Sequence, residues 1–501
     1  MTTVSVGDKS TFEGQIRSYF LGRVALAAGG FVTVPLLSRA LGMQNYGKLS
    51  LWLTLTTWLP LVLGGWLQQS ILRYHQEYMS WQATPINTED RTEDNQEYNR
   101  IDSVKHPGSS DAYCDTVQKL VVMLVSGATL ASWLTIALLL PHQCSPSEGI
   151  CIALITGASL INIALGARAQ AELQASLVVT ADFVRTVLPI VLVGAMVMIH
   201  MPCHQGEALF AFLVGLVGAD LLLYCCVRRP VSKASPSVGR KQFSTLAVSM
   251  PVVRRMLGFG LPMGIWFGLT TGQTLIGRLL LEHYGKPQHL AIFTGLQDFL
   301  TKTGTVLFMP VTYALHSRVM KLWAEARHGE ATDAIRRAYL YQGGLAILLM
   351  LSTVGMQRPL CQFLFGRAGT LQGSQESLSL VGLVFALVLS IVLSNVGLIA
   401  HKGLELGERT RIMALSMGLA TLFNVVSGRM LVVPFGAVGI AWSLVIANGF
   451  YLVASVVGSR RVLIGAVSIV ASNSNSASSS GSTSTASSSN SLVRSPRTEV
   501  V

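Results

Sequence analysis

Long runs of apolar residues separated by polar stretches form the dominant pattern of this 501-residue chain. A helix needs about 20 residues to cross the hydrocarbon core of a bilayer, and twelve runs are close to that length or longer. They lack the alternation typical of a membrane β-barrel, so each run predicts a membrane-spanning helix. The predicted spans are residues 18–41, 49–72, 120–140, 150–166, 177–199, 208–227, 256–281, 290–313, 338–356, 377–400, 412–433 and 437–457. The expected fold class is therefore an all-α polytopic membrane protein.

One phrase occurs twice, at the same place in each half of the chain. The sequence "LLSRALGMQNYGKLS" (residues 36–50) connects the first two spans, and "LIGRLLLEHYGKPQH" (residues 275–289) connects the seventh and eighth. Each copy has an arginine, Arg39 or Arg278, ahead of Tyr-Gly-Lys. Because an even number of spans separates the copies, both have the same orientation. The pattern predicts two six-helix halves related as a parallel repeat; chance recurrence of a short motif is the alternative.

Polar segments divide the chain into four regions. The N-terminal half covers residues 1–227 and includes a polar cytoplasmic loop at 75–117. A basic linker with three prolines, residues 228–255, is expected to lie on the anionic cytoplasmic lipid surface. The C-terminal half covers residues 256–458. Residues 459–501 hold a short apolar segment and a serine-rich tail that we expect to be disordered.

Composition and charge agree with a membrane protein. Hydrophobic residues make up 50% of the chain and charged residues only 12%, against about 25% charged in an ordinary soluble domain. If the N-terminus is cytoplasmic, 27 of the 37 lysines and arginines fall on the cytoplasmic side. This asymmetry places both termini in the cytoplasm. It also explains the net charge of +12 without a nucleic-acid partner.

Three motifs resemble one family. The stretch "LLSRALGMQNYG", followed by "SILRY" at 70–74, resembles the opening of bacterial polysaccharide-biosynthesis flippases of the multidrug/oligosaccharidyl-lipid/polysaccharide exporter superfamily. The stretch "GLPMGIWFGLTTGQTLIGRLLLEHYG" (260–285) resembles the start of that family's second half. The stretch "NVVSGRMLVVPFGAVGIAWS" (424–443) resembles its hinge, an asparagine followed by Pro-x-Gly-x-x-Gly. The resemblance covers about residues 15–458.

The chain departs from the family at two positions. Gly277 precedes Arg278, where the family often has an acid, and Gly428 stands where a second asparagine is expected. These differences weaken the transfer of individual residue roles more than the resemblance itself.

The resemblance implies a transporter and not an enzyme. Its cargo would be an oligosaccharide repeat unit on polyprenyl diphosphate, for example for O-antigen. The repeat unit would be turned across the bacterial plasma (inner) membrane. No cofactor is implied. The implied partners are membrane lipid, H⁺ or Na⁺ as coupling ion, and, by analogy, a polysaccharide polymerase and a chain-length regulator.

Two other functions compete with this one. A cation-coupled drug or metabolite exporter of the same superfamily would rely on buried carboxylates, and the first span, 18–41, has no acid. A membrane-embedded polysaccharide polymerase commonly carries a large outer loop. The longest predicted outer loop here, 357–376, has 20 residues and no constellation of acids for glycosyl transfer.

Ionisable residues inside spans are the candidate site residues, since they are expected to face a cavity or a partner. Asp182 and Arg185 are three residues apart in the fifth span, and Asp298 and Lys302 are four apart in the eighth. Each pair therefore shares one helix face. A self-neutralising pair and a substrate site are both open for Asp182 and Arg185. The more central Asp298 and Lys302 favour a cavity-facing role.

Other candidates come from single residues. Arg23 in the first span either binds the diphosphate or extends to the membrane interface. Asp220, like Asp182, is a candidate ion-coupling residue, and its alternative is pairing with Arg23 or Arg185. Trp58 and Trp266 suit stacking on sugars, although helix packing is the common role of such residues. Arg39 and Arg278 are expected to be interfacial anchors.

The seven cysteines show no CxxC spacing, and no metal-ligand motif is present. Three of them, Cys144, Cys203 and Cys361, are predicted to lie near the outer face. We expect free thiols, and one disulfide among these three is the alternative.

Overall fold

The structure is a computed structural model in which every regular element of the described residues is a helix. It describes residues 29–83, 110–139, 145–172, 174–201, 204–227, 249–285, 287–325, 327–365, 374–407 and 409–479. Several features that the sequence singles out lie outside these residues: Arg23, Cys144, Cys203, most of the loop 75–117, most of the linker 228–255 and the end of the tail.

As far as the structure describes them, the twelve predicted spans fall on helices; residues 18–28 of the first span lie outside the described residues. The first half contains α1 (Gly29–Leu41), α2 (Met43–Ala83), α3 (Ser110–Leu139), α4 (Pro146–Ala171), α5 (Ala175–Met198) and α6 (Gln205–Val227). The second half contains α7 (Met250–Tyr284), α8 (Pro287–Ala324), α9 (His328–Gly355), α10 (Gln357–Phe365), α11 (Ser374–Ala400), α12 (Lys402–Leu406) and α13 (Thr410–Ser479). The helix α7 begins at Met250, six residues before the predicted start of the seventh span.

The last two spans form a hairpin within α13. The chain breaks at Gly436, whose φ of 54° and ψ of −129° are not helical. A side chain at this φ would be strained, so glycine suits the turn. Beyond it, a Cβ atom at Gly439 would lie 2.1 Å from the carbonyl oxygen of Leu431, so the two arms touch. The hydroxyl of Ser443 also donates to the side-chain oxygen of Asn424 at 2.9 Å. The Pro-x-Gly-x-x-Gly run is therefore the turn of this hairpin.

Seven helical stretches among the described residues are long and apolar enough to cross a membrane, with the two arms of α13 counted as one. An eighth consists of α9 and α10 together, which are bent against each other. Large apolar side chains such as Leu340, Leu415 and Val433 are more than two-thirds exposed. Lipid is the solvent that suits such a surface.

The two halves meet along α2 and α7, which pack closely over much of their length. Small residues permit this approach. A Cβ atom at Gly260 would lie 2.2 Å from the carbonyl oxygen of Trp66, and one at Gly264 would lie 2.6 Å from its nitrogen. The hydroxyl of Ser70 donates to the carbonyl of Met256 at 2.7 Å. This interface brings α8 of the second half against α2 of the first.

Candidate functional site

A cavity of about 670 Å³ lies between helices of the first half and α8. Its volume is in the range of small-molecule binding sites. Its wall combines apolar side chains with amides and hydroxyls, and its charged members are Asp182, Arg185 and Lys302. Three of the residues predicted from sequence therefore meet at one cavity, although they come from two different spans.

A polar network connects α4, α5 and α6 at this cavity. Asp182 and Arg185 form the ion pair that their spacing predicts, at 3.2 Å. Arg185 also donates to the side-chain oxygen of Asn162 at 3.3 Å. The amide nitrogen of Asn162 donates to Asp220 at 2.9 Å, and Asp220 is only 8% exposed. Asn162 thus connects Asp220 to Arg185. The predicted alternative is a direct ion pair between these two residues, and the structure has an indirect connection instead.

Lys302 reaches into the cavity from α8. Its ammonium lies 3.5 Å from the carbonyl oxygen of Gly30 on α1, and a Cβ atom at Gly30 would lie 2.3 Å from the Cδ of Lys302. The end of the lysine side chain therefore lies against the α1 backbone, and a side chain at position 30 would require it to move. Within the described residues, no carboxylate forms an ion pair with Lys302.

Asp298 does not pair with Lys302, although the two share a helix face. Its carboxylate forms an ion pair with Arg278 and accepts a hydrogen bond from the hydroxyl of Ser50 at 3.0 Å. The same guanidinium donates to the hydroxyls of Ser50, at 2.8 Å, and Thr54. The expectation that Arg278 is an interfacial anchor is wrong, because its partners hold it inside the protein at 2% exposure.

The two tryptophans proposed for sugar stacking lie at helix interfaces. The indole nitrogen of Trp58 donates to the carbonyl of Gly268 across the α2–α7 contact at 2.8 Å. Trp266 is 5% exposed, donates to the hydroxyl of Tyr451 at 2.8 Å and packs edge-on against His401. The cavity lining among the described residues includes neither tryptophan. These contacts are those of helix packing, the alternative that the sequence left open.

Two residues of these networks carry no sequence signal of their own. Asn162 is a neutral amide in an apolar span, and Ser50 is a small hydroxyl residue near a span end. Both matter because their partners come from other helices.

Cysteines and metal ligands add no further site in the part of the chain that the structure describes. Cys361 on α10 is buried and has a free thiol. No group of three or more His, Cys, Asp or Glu side chains that could hold a metal ion occurs among the described residues.

Comparison with known proteins identifies the fold. No protein-family model matches the chain, and no curated protein matches it. Among solved structures, the inward-facing conformation of a multidrug resistance MATE family transporter of the MOP superfamily is similar, with 14% identity and a TM-score of 0.62 over 89% of this chain and 96% of that chain. The chain has the fold of these transporters.

Two further structures show the same likeness. The outward-facing conformation of a multidrug resistance MATE family transporter of the MOP superfamily has 14% identity and a TM-score of 0.57, covering 89% of this chain and 96% of that chain. A MOP superfamily transporter from Pyrococcus furiosus, for which reverse polarity of the binding pocket suggests a different function, has 13% identity and a TM-score of 0.57, covering 91% and 96%. The predicted class, an all-α polytopic membrane protein of about twelve spans in two six-helix halves, is confirmed.

Proposed function

We propose that this protein translocates polyprenyl-diphosphate-linked oligosaccharide repeat units across the bacterial plasma membrane, for synthesis of a cell-surface or extracellular polysaccharide. The two halves would expose the cavity to one side of the membrane and then to the other. Solved transporters of this fold include inward-facing and outward-facing conformations, which supports alternating access. Binding and rearrangement are the whole task, so the protein is not an enzyme.

The observation that carries the proposal is the lysine in the cavity wall. Lys302 lacks a carboxylate partner among the described residues, because Arg278 occupies Asp298. Among the described residues, the charged lining therefore has two cations, Arg185 and Lys302, against one acid, Asp182. A diphosphate needs such a cationic site, and lysine is a common phosphate ligand. Asp298 would act indirectly, by holding Arg278 away from the cavity.

The remaining predicted residues fit around this centre. Arg23 lies outside the described residues and is proposed as a second cation for the diphosphate. The amides and hydroxyls of the wall, Gln68, Asn162, Gln170, Thr56 and Ser159, offer hydrogen bonds for sugar hydroxyls. Trp58 and Trp266 would contribute only by fixing the helices that surround the cavity, since their indole nitrogens already have partners.

A drug or metabolite exporter of the same superfamily is the second candidate function. The observation in its favour is the buried carboxyl of Asp220, because a cation-coupled exporter relies on such groups. With Asp182, it is the proposed H⁺ or Na⁺ coupling site. The net charge of the binding pocket is the feature that distinguishes the two candidate functions. The Pyrococcus furiosus protein supports this criterion, since the reverse polarity of its binding pocket suggests a different function.

The test is translocation by the purified chain in proteoliposomes. The probe is a trace of polyprenyl-diphosphate-linked oligosaccharide, and a membrane-impermeant lectin reports its appearance in the opposite leaflet. We expect wild type and Lys302→Arg to translocate the probe. Lys302→Gln should be slower by roughly tenfold, because a charge-assisted hydrogen bond contributes about 1.5–3 kcal/mol. Lys48→Gln, at an exposed lysine of α2, is the matched control.

Two results would overturn the proposal. One is wild-type protein that leaves the lipid-linked probe in its original leaflet but carries an organic cation. The other is Lys302→Gln translocating as fast as Lys48→Gln. The first result would make the exporter the leading function, and the second would remove the cationic site.

A further inference from the structure

An arginine cluster lies where the end of the spanning part of α2 (Met43–His75) meets the start of α7, and the cavity lining in the described residues includes none of its members. The cluster consists of Arg73, Arg254 and Arg255, and we infer that its two exposed members, Arg73 and Arg254, form a binding site for the phosphate of an anionic membrane phospholipid. The inference concerns a different surface from the transport cavity and does not rest on the identity of the transported substrate.

The cluster is built around a pair of aromatic rings, one from each half. Tyr74 of α2 and Phe259 of α7 contact each other edge-on, with ring centroids 6.1 Å apart. The guanidinium carbon of Arg73 lies 4.4 Å from the ring centre of Phe259, and that of Arg255 lies 4.8 Å from the ring centre of Tyr74. Stacking on a ring orients a guanidinium without neutralising its charge. Two cations are therefore held beside one aromatic pair.

The backbone below the cluster is fixed by the interface between the halves. The hydroxyl of Ser70 donates to the carbonyl of Met256 at 2.7 Å. Val252 and Met256 are fully buried, and Tyr74 is 7% exposed. The segments that carry Arg73 and Arg255 therefore have a set spacing. A site with a set spacing loses less conformational freedom on binding than two flexible arginines would.

Two described carboxylates near the cluster already have cationic partners. Glu172, which follows α4, accepts from Arg168 at 2.8 Å, and Asp115 of α3 accepts from Lys119 at 2.6 Å. Arg73 forms no ion pair with any described carboxylate, and its side chain is exposed. Arg73 and Arg254, which are both exposed, thus present positive charge on this surface.

The position of the cluster points to a headgroup of the surrounding membrane. It lies at the end of the spanning part of α2 and the start of α7. The distribution of lysine and arginine assigns this side to the cytoplasmic leaflet, where anionic lipids collect. Phosphate oxygens suit guanidinium donors, and basic pockets between helix ends are known sites for anionic lipids. The cavity lining in the described residues includes none of these arginines, which favours a phospholipid over the prenyl diphosphate cargo.

The test measures lipids retained by the purified full-length chain in native mass spectrometry. Three probes are titrated separately: dioleoyl phosphatidylglycerol, dioleoyl phosphatidylcholine and geranylgeranyl diphosphate. We expect phosphatidylglycerol to be retained in preference to phosphatidylcholine. Removal of two cations in Arg73→Gln/Arg254→Gln should weaken its binding about 30-fold, roughly fivefold for each arginine. Arg318→Gln, at an exposed arginine near the end of α8, is the matched control and should bind as wild type does.

Three outcomes would overturn the inference. These are equal retention of phosphatidylglycerol and phosphatidylcholine, undiminished phosphatidylglycerol binding by the double variant, and preferential retention of geranylgeranyl diphosphate. Because Arg73 packs on Phe259, the single variant Arg254→Gln repeats the test at an exposed residue, with an expected loss of roughly fivefold.

Discussion

Arg278 on α7 donates a hydrogen bond to the hydroxyl of Ser50 on α2 at 2.8 Å and thereby connects the second half of the chain to the first. The hydroxyl of Ser50 in turn donates to Asp298 on α8, the ion-pair partner of Arg278. One buried guanidinium therefore joins three helices at the boundary between the halves. The positive charge of Arg278 is balanced by Asp298, which belongs to the same half of the chain.

Removal of this guanidinium should destabilise the protein strongly. Arg278→Gln leaves Asp298 without its cation, and breaking a buried ion pair costs about 3–5 kcal/mol. Asp298 is 30% exposed, so we expect a loss near 3 kcal/mol in the free energy of unfolding in detergent. Arg39→Gln removes an exposed arginine bound to the carbonyl of Phe363 and should change stability by less than about 1 kcal/mol. Equal effects of the two variants would contradict a structural role for the Arg278 ion pair.

The interface between α2 and α7 gives a second prediction, based on two glycines in one helix. A methyl group at Gly260 would meet the carbonyl oxygen of Trp66 at 2.2 Å, whereas one at Gly258 would meet nothing within 4 Å. Gly260→Ala should therefore lower the free energy of unfolding by about 1–3 kcal/mol through overpacking. Gly258→Ala should be neutral or stabilising by about 0.5–1 kcal/mol, as expected for alanine inside a helix. Thermal unfolding of both variants in one detergent makes the comparison, and a destabilised Gly258→Ala would argue against this packing.

The spans could be predicted from sequence because lipid requires long apolar helices, and the position of the hairpin turn because Pro-x-Gly-x-x-Gly marks the break at Gly436. The environment of Arg278 could not be predicted from the sequence. Its partners Ser50 and Thr54 lie 228 and 224 residues earlier in the chain. Spacing within a helix shows which residues share a face, but it does not show which helix that face meets.

The cavity site shows the same division between local and long-range information. The ion pair of Asp182 and Arg185 follows from residues three apart and could be predicted. The separation of Lys302 from Asp298 could not be predicted, because it depends on Arg278, which binds Asp298 from another helix. Asn162 was missed because a single amide in an apolar span has no distinctive spacing, yet it connects Arg185 with Asp220.

Glu172, beyond the end of α4, should make stability depend on pH. Partial burial raises the pKa of this carboxyl, but hydrogen bonds from His75 and Arg168 more than offset the burial and leave the pKa below its ordinary value of 4.5. A group whose pKa is lowered by folding stabilises the protein above its unfolded pKa. That contribution is lost as the pH falls through the folded value.

The measurement for Glu172 is the midpoint of thermal unfolding at neutral pH and at steps below about pH 4.5. Wild type should lose more stability over this acidic range than Glu172→Gln, which has no carboxyl to protonate. At neutral pH the variant should already be the less stable of the two. Asp333→Asn, at an exposed aspartate of α9, is the control for a general effect of removing one acid. Parallel pH profiles for wild type and Glu172→Gln would contradict the assignment.

Asp220 is the residue whose substitution should separate ion coupling from cargo binding. It is nearly buried, its carboxyl accepts a hydrogen bond from the neutral amide of Asn162, and Arg185 lies at the other end of that amide. A carboxylate held in this way can exchange a proton or Na⁺ when the cavity opens. Asp220→Asn should therefore keep downhill exchange of cargo but lose the acceleration that an imposed H⁺ or Na⁺ gradient gives to wild type. Asp333→Asn, at an exposed aspartate of α9, should retain that acceleration. If Asp220→Asn still responds to both gradients as wild type does, the coupling ion binds elsewhere and the Asn162 network has a structural role.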